Sequence, residues 1–113
     1  LKKIEAIIRP EKEAAVKNAL AEAGYIGLTA YEVRGRGRQK GQVLQYRGIS
    51  EYVVDMLNRV KLELLVSEKD VKRVLSIIQE QARTGNVGDG LIVVTDVDDA
   101  IRVRTGERGE DAL

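Results

Sequence analysis

Twice along this chain, apolar residues at alternate positions give way to apolar residues three and four apart, and then to alternation again. A strand–helix–strand unit read twice admits few folds. The first unit opens with Lys2 to Arg9, KKIEAIIR, where Ile4, Ala6 and Ile8 alternate against Lys3 and Glu5, and Ile7 makes the burial nearly two-sided. Pro10 suits a helix start because the N–H it lacks has no intrahelical partner there, and Val16, Ala19, Leu20 and Ala23 recur at helical spacing until Gly24 stops the helix. Tyr25 to Arg34 is a weaker strand pattern carried by Ile26, Leu28, Ala30 and Val33. The second unit begins with a strand from Val53 to Val66, in which Leu62 and Leu64 oppose Lys61 and Glu63. Ser67 followed by Asp70 reads as a capping box with Asp for Glu, and Val71, Val74, Leu75, Ile78 and Ala82 form the stripe of a helix running to about Arg83. LIVVTDV from Leu91 is dense enough to read as an interior strand, and Ile101 to Arg104 as a short last one with Arg102 and Arg104 on one face. The polar tail from 105 to 113 is expected to fray or dock elsewhere.

These elements predict an α+β chain, a ferredoxin-like βαββαβ sandwich forming one domain over residues 1–113. Two helices cover one face of such a sheet. The bare face would expose apolar alternation, so copies of the chain are expected to cover it in a symmetric oligomer, the alternative being a monomer with a polar face.

Between the two units lies RGRGRQKGQVLQYRGISEYVVD, Arg34 to Asp55, which gathers Arg34, Arg36, Arg38, Lys40 and Arg47 in a chain of net charge only +1. Charged side chains and Gly35, Gly37, Gly41 and Gly48 make it a long exposed loop, since both are costly to bury or order. With so little net charge, any preference for anions is local to this loop. The chain has no His and no Cys, which excludes disulfides, thiolate metal sites and histidine-dependent catalysis. Without a spanning apolar run or signal-peptide pattern, a soluble, cytoplasmic protein is expected, with no direct membrane insertion.

The glycine-rich loop matches neither a P-loop nor the dinucleotide fingerprint. Bare N–H groups beside Arg38 and Lys40 can still cradle a phosphate, and Thr84 to Gly90, TGNVGDG, offers a second cradle. Facing Arg102 and Arg104, the two would form an anion pocket. The plainer alternative is two ordinary turns and a charged, solvated strand edge.

Taken in order, KKIEAIIRPEK, GLTAYEVRGRGRQKG, YRG with EYVVD, ARTGNVGDG and IRVRTGERGEDA resemble the PII nitrogen-regulatory signal proteins along essentially the whole chain. The resemblance implies a homotrimer of ferredoxin-like subunits, each with a long T-loop, here about 37 to 55, and nucleotide sites between neighbours. ATP or ADP would then meet Gly35, Gly37, Arg38 and Gln39 at the loop base, Thr29 and the backbone near Leu65 at the adenine, and Gly88, Asp89, Gly90 and Leu91 at the phosphates. Arg102 and Arg104 would reach in from the neighbour. With Mg²⁺ and ATP bound, 2-oxoglutarate would sit against Gln39, Lys40, Gly41, Arg59 and Gly88, the Gln39 side chain joining the metal shell. Such a protein senses the adenylates and 2-oxoglutarate through T-loop conformation and regulates an ammonium transporter or nitrogen-assimilation enzymes and regulators. Tyr46, Arg47 and Gly48 match the transporter-binding tip, and Tyr52 and Ser50 match positions modified in some relatives.

The chain departs from the family pattern at four points. Leu91 stands where a Lys usually reaches the phosphates, Arg59 replaces another Lys, and Asn58 replaces a Pro. One extra residue separates Tyr46 from Tyr52. An adenylate-only sensor and a diverged partner-binding trimer therefore stand as alternatives. A nucleic-acid module would want strand-face aromatics, and with four Tyr, no Phe and no Trp there is no RNP-like run, so nucleic acid is not an expected partner. An enzyme is not expected either, because Asp89 has no paired, positioned base.

Overall fold

Alternation and helical spacing become a two-layer structure because each supplies one apolar face that must be buried against the other. The computed structural model describes residues 1–37, 43–46, 50–53 and 56–113, with 43–46 and 50–53 described by their backbone alone. Strand β1 spans Lys2–Ile8, β2 Thr29–Gly35, β5 Leu57–Val66 and β6 Leu91–Asp96, and they form one antiparallel sheet in the order β2-β5-β1-β6. Helix α1, Glu13–Glu22, joins β1 to β2 across β5, and helix α2, Val71–Ala82, joins β5 to β6 across β1. This is the ferredoxin-like fold.

One face of the sheet holds the core. Ile4, Ala6 and Ile8 of β1 and Val60, Leu62, Leu64 and Val66 of β5 meet Val16 and Leu20 of α1 and Val74, Ile78 and Ala82 of α2. Each large side chain so enclosed contributes about 1.5–3 kcal/mol. A short 3₁₀ turn, Pro10–Lys12, precedes α1. At the other end of α1, Gly24 at φ +98° reverses the chain, with Tyr25 N–H donating to Leu20 C=O at 2.8 Å and Gly24 N–H to Ala21 C=O at 3.0 Å. That Schellman closure leaves residues 25–28 outside any strand, so β2 begins at Thr29 rather than Tyr25.

Three other expectations are corrected, and a ribbon is found in the long loop. LIVVTDV is not an interior strand: among the described residues β6 pairs with β1 alone, and Leu91, Val93 and Val94 are exposed. Ile101 to Arg104 is not a strand but one bridge, Ile101 with Arg108, followed by a tight turn closed by Gly106 N–H on Arg102 C=O at 2.8 Å. Ser67 forms no capping box; its hydroxyl instead donates to Glu110 Oε1 at 2.8 Å. Between β2 and β5 the chain includes a two-stranded antiparallel ribbon of β3, Val43–Tyr46, and β4, Ser50–Val53.

The open face of the sheet differs from the apolar one expected. Glu5 pairs with Lys3 at 2.8 Å and Lys61 at 3.6 Å, and Tyr31 donates to Glu63 at 2.6 Å. Its exposed apolar side chains are Tyr31 of β2, Leu65 of β5, and Leu91 and Val93 of β6.

Candidate ligand-binding site

Strand register divides the predicted site residues between the two ends of the sheet. At one end β2 and β1 finish while β5 and β6 begin, with Gly35 paired to Leu57, Val33 to Arg59 and Ile7 to Leu91. Gly35, Gly37, Arg59 and the glycine loop from Gly88 to Leu91 all arrive here. A Cβ placed on Gly35 or Gly37 would meet nothing within 4 Å, so there is room beside both residues. Arg59 donates to its neighbour Asn58 C=O at 2.8 Å. Leu91 is 64% exposed and offers an apolar side chain to the same end.

The loop joining α2 to β6 is built around one carboxylate. Asp89 Oδ2 accepts from Thr84 N–H at 2.8 Å and Gly85 N–H at 2.9 Å; Oδ1 accepts from the Thr84 hydroxyl and from Arg9 Nε at 3.1 Å. Arg9 also donates from Nη2 to Val87 C=O at 3.0 Å. The Thr84 hydroxyl bond is the strongest of several contacts holding the Asp89 carboxyl far below the usual carboxylate range, desolvation opposing them. Thr84 Oγ1 in turn accepts from Asn86 N–H at 3.1 Å. Asp89 is thus an internal strut of its loop, and the N–H groups of Thr84, Gly85 and Asn86 serve the loop itself. Gly90, at φ +111°, closes it against the sheet so tightly that a Cβ would lie 1.8 Å from Ile7 O.

At the opposite end, where β2 begins and β5 finishes, lies an open hollow of about 760 Å³. Thr29, Leu65, Ile101, Arg102, Ala112 and Leu113 are among the residues lining it. The C-terminal segment forms this wall: Arg108 Nε pairs with Asp99 at 2.8 Å, and Arg102 Nε donates to Ala112 C=O at 2.5 Å. Arg104 is exposed in the turn between them. Thr29 and Leu65 therefore gather with Arg102, and not with the glycine loops of their own chain. Arg38, Gln39, Lys40, Gly41, Arg47 and Gly48 lie outside the described residues, and the side chains of Tyr46, Ser50 and Tyr52 are not described. Among the described residues no three His, Cys, Asp or Glu side chains converge as a metal site.

Residues 1–107 match the family model described as Nitrogen regulatory protein P-II. The chain belongs to the P-II family. A nitrogen regulatory protein P-II of Rhodospirillum rubrum is 53% identical over 113 residues, covering 100% of both chains. That of Azospirillum brasilense is 51% identical with the same coverage. Nitrogen regulatory protein P-II 1 of Methanothermobacter thermautotrophicus is 51% identical over 100% of this chain and 97% of its own. The P-II family is regulatory, not catalytic, and no helix among the described residues is long and apolar enough to cross a membrane.

Three residues that brace these loops carry no local sign of their partners. Arg9 follows β1 in a position that reads only as a strand-end charge, Ser67 reads as a helix cap, and Glu110 sits in a polar tail. Their partners are 80 and 43 residues away, beyond any local pattern.

Proposed function

We propose that this P-II protein is a homotrimeric, cytoplasmic sensor that binds ATP or ADP between subunits and takes up 2-oxoglutarate with Mg²⁺ and ATP. The observation that carries this reading is the separation of one ligand set into halves at opposite ends of a single sheet, which a neighbouring copy can reunite. The Thr29–Leu65 hollow, with Arg102 on its wall, suits a base and an adjoining phosphate. The space beside Gly35 and Gly37 and the N–H groups of Gly88 to Gly90 suit the remaining phosphates. Arg38, Gln39, Lys40, Gly41 and Arg59 complete the set, with Gln39 a ligand to the metal. Mg²⁺ prefers hard oxygens, which Gln39, the nucleotide and the oxoacid supply without any His or Cys.

The output is a shift in the population of T-loop conformations, read by an ammonium transporter or nitrogen-assimilation enzymes and regulators. Coupling of about 1–3 kcal/mol would change partner affinity several-fold to a hundredfold. Tyr46, Arg47 and Gly48 form the partner-binding tip, and Tyr52 or Ser50 is the position open to modification. Leu91 favours a second reading, a sensor of adenylates alone, because it brings no charge to the phosphate end.

Calorimetric titration with ATP, with ADP, and with 2-oxoglutarate into the Mg²⁺-ATP complex decides between them. Oxoglutarate uptake only in the presence of Mg²⁺ and ATP is the expected result. Nucleotide binding without it selects the adenylate sensor, and no binding of either nucleotide leaves a diverged partner-binding trimer.

A further inference from the structure

We infer that Ser67 and Glu110 are positioning residues of the nucleotide site, docking the tail so that Ala112 can aim Arg102. The inference rests on the nucleotide reading above. Ser67 is the buried polar residue of the described chain, at 8% exposure, and its hydroxyl leaves its own helix uncapped in order to bond Glu110. That contact joins the end of β5 to the 3₁₀ turn Gly109–Ala112. Ala112 is in turn buried to 8% exposure, and its carbonyl takes the Arg102 Nε proton at 2.5 Å.

The chemistry of the guanidinium gives this chain of contacts its consequence. An Arg held at Nε has its plane fixed, and its Nη1/Nη2 edge is the fork that takes a phosphate oxygen pair. Arg102 backbone is held as well, its N–H donating to Glu107 C=O at 2.9 Å and its C=O accepting from Gly106. Arg102 lines the same hollow as Thr29 and Leu65, so a guanidinium fixed there loses little freedom when a phosphate arrives. Without the Ser67–Glu110 contact the tail leaves its seat, the Ala112 carbonyl goes with it, and the same Arg102 must be ordered by the ligand.

The test is ATP affinity by calorimetry for the wild type, Ser67→Ala, Glu110→Ala and Arg102→Ala, and for Ser67→Ala combined with Arg102→Ala. Each single removal of the dock should weaken ATP about tenfold, the loss of roughly one charge-assisted contact. Glu110→Gln, which keeps an acceptor for the Ser67 hydroxyl, should restore most of the affinity. In the Arg102→Ala background, Ser67→Ala should have no further effect. Glu110 is exposed, so its variants leave the core intact even if Ser67→Ala does not fold. Wild-type affinity in Glu110→Ala, or a loss in Ser67→Ala that persists without Arg102, would overturn the inference while leaving the nucleotide reading standing. A wild type that binds neither ATP nor ADP overturns both.

Discussion

The Asp89 side chain shows how one carboxylate can hold a whole loop together. Its carboxyl is held below its ordinary value near 3.8, first by the Thr84 hydroxyl, so its contribution to stability is complete above that value. The contribution is lost as pH falls from about 4 through the lower folded value. Asp89→Asn should therefore melt below the wild type at neutral pH, with the gap narrowing as the pH drops beneath about 4, measured by scanning calorimetry. Gly90 is constrained more severely: a Cβ 1.8 Å from Ile7 O, on a backbone at φ +111°, makes Gly90→Ala cost about 3 kcal/mol or more, a fall of roughly 10 °C in Tm. Leu91 next to it is permissive. Leu91→Lys should tighten ATP about tenfold by adding a charge-assisted contact, and calorimetric titration checks it. The glycine run TGNVGDG was legible as a special loop, yet nothing in its spacing distinguished a residue that faces a ligand from one that ties the loop together.

Elements buried on one face are legible in the sequence because periodicity records burial. Ile4, Ala6, Ile8, Leu62 and Leu64 alternate in the sequence and are buried in the fold, and the α2 stripe of Val74, Ile78 and Ala82 faces them. Leu20, fully enclosed between α1 and the sheet, should lose about 2–5 kcal/mol on Leu20→Ala, seen as a lower denaturant midpoint with an unchanged slope. Elements at the margin are less legible. The β6 run looks interior because it is apolar throughout, but apolar composition cannot tell an interior strand from an edge strand awaiting a neighbour. Ile101 to Arg104 alternates like a strand and turns instead, because its backbone bonds close within the tail.

In the whole molecule, the proposed trimer would bring a neighbour against the open face of the sheet. Lys61 lies between Glu5 at 3.6 Å and the Tyr31 ring at 5.7 Å, with Glu63 bonded to Tyr31. Lys61→Glu would set like charges together there. If that face lies between subunits, sedimentation should show a weaker oligomer, and ATP affinity should fall in step and become dependent on protein concentration. A variant that stays assembled with undiminished ATP binding would place the intersubunit contact elsewhere.

Periodicity, glycine placement and the order of elements were sufficient for the ferredoxin-like frame, because each reflects forces acting over a few residues. Five distinct blocks in one order along the chain were sufficient for the P-II family. Folding alone set the rest. It put Arg9 on Asp89, Ser67 on Glu110, and Ala112 on Arg102, and it sent Thr29 and Gly35, which are only six positions apart, to opposite ends of one strand. Such pairings depend on register and on the return of distant segments, where the hydrogen-bonding partner is chosen by geometry and leaves no mark in the local order of residues.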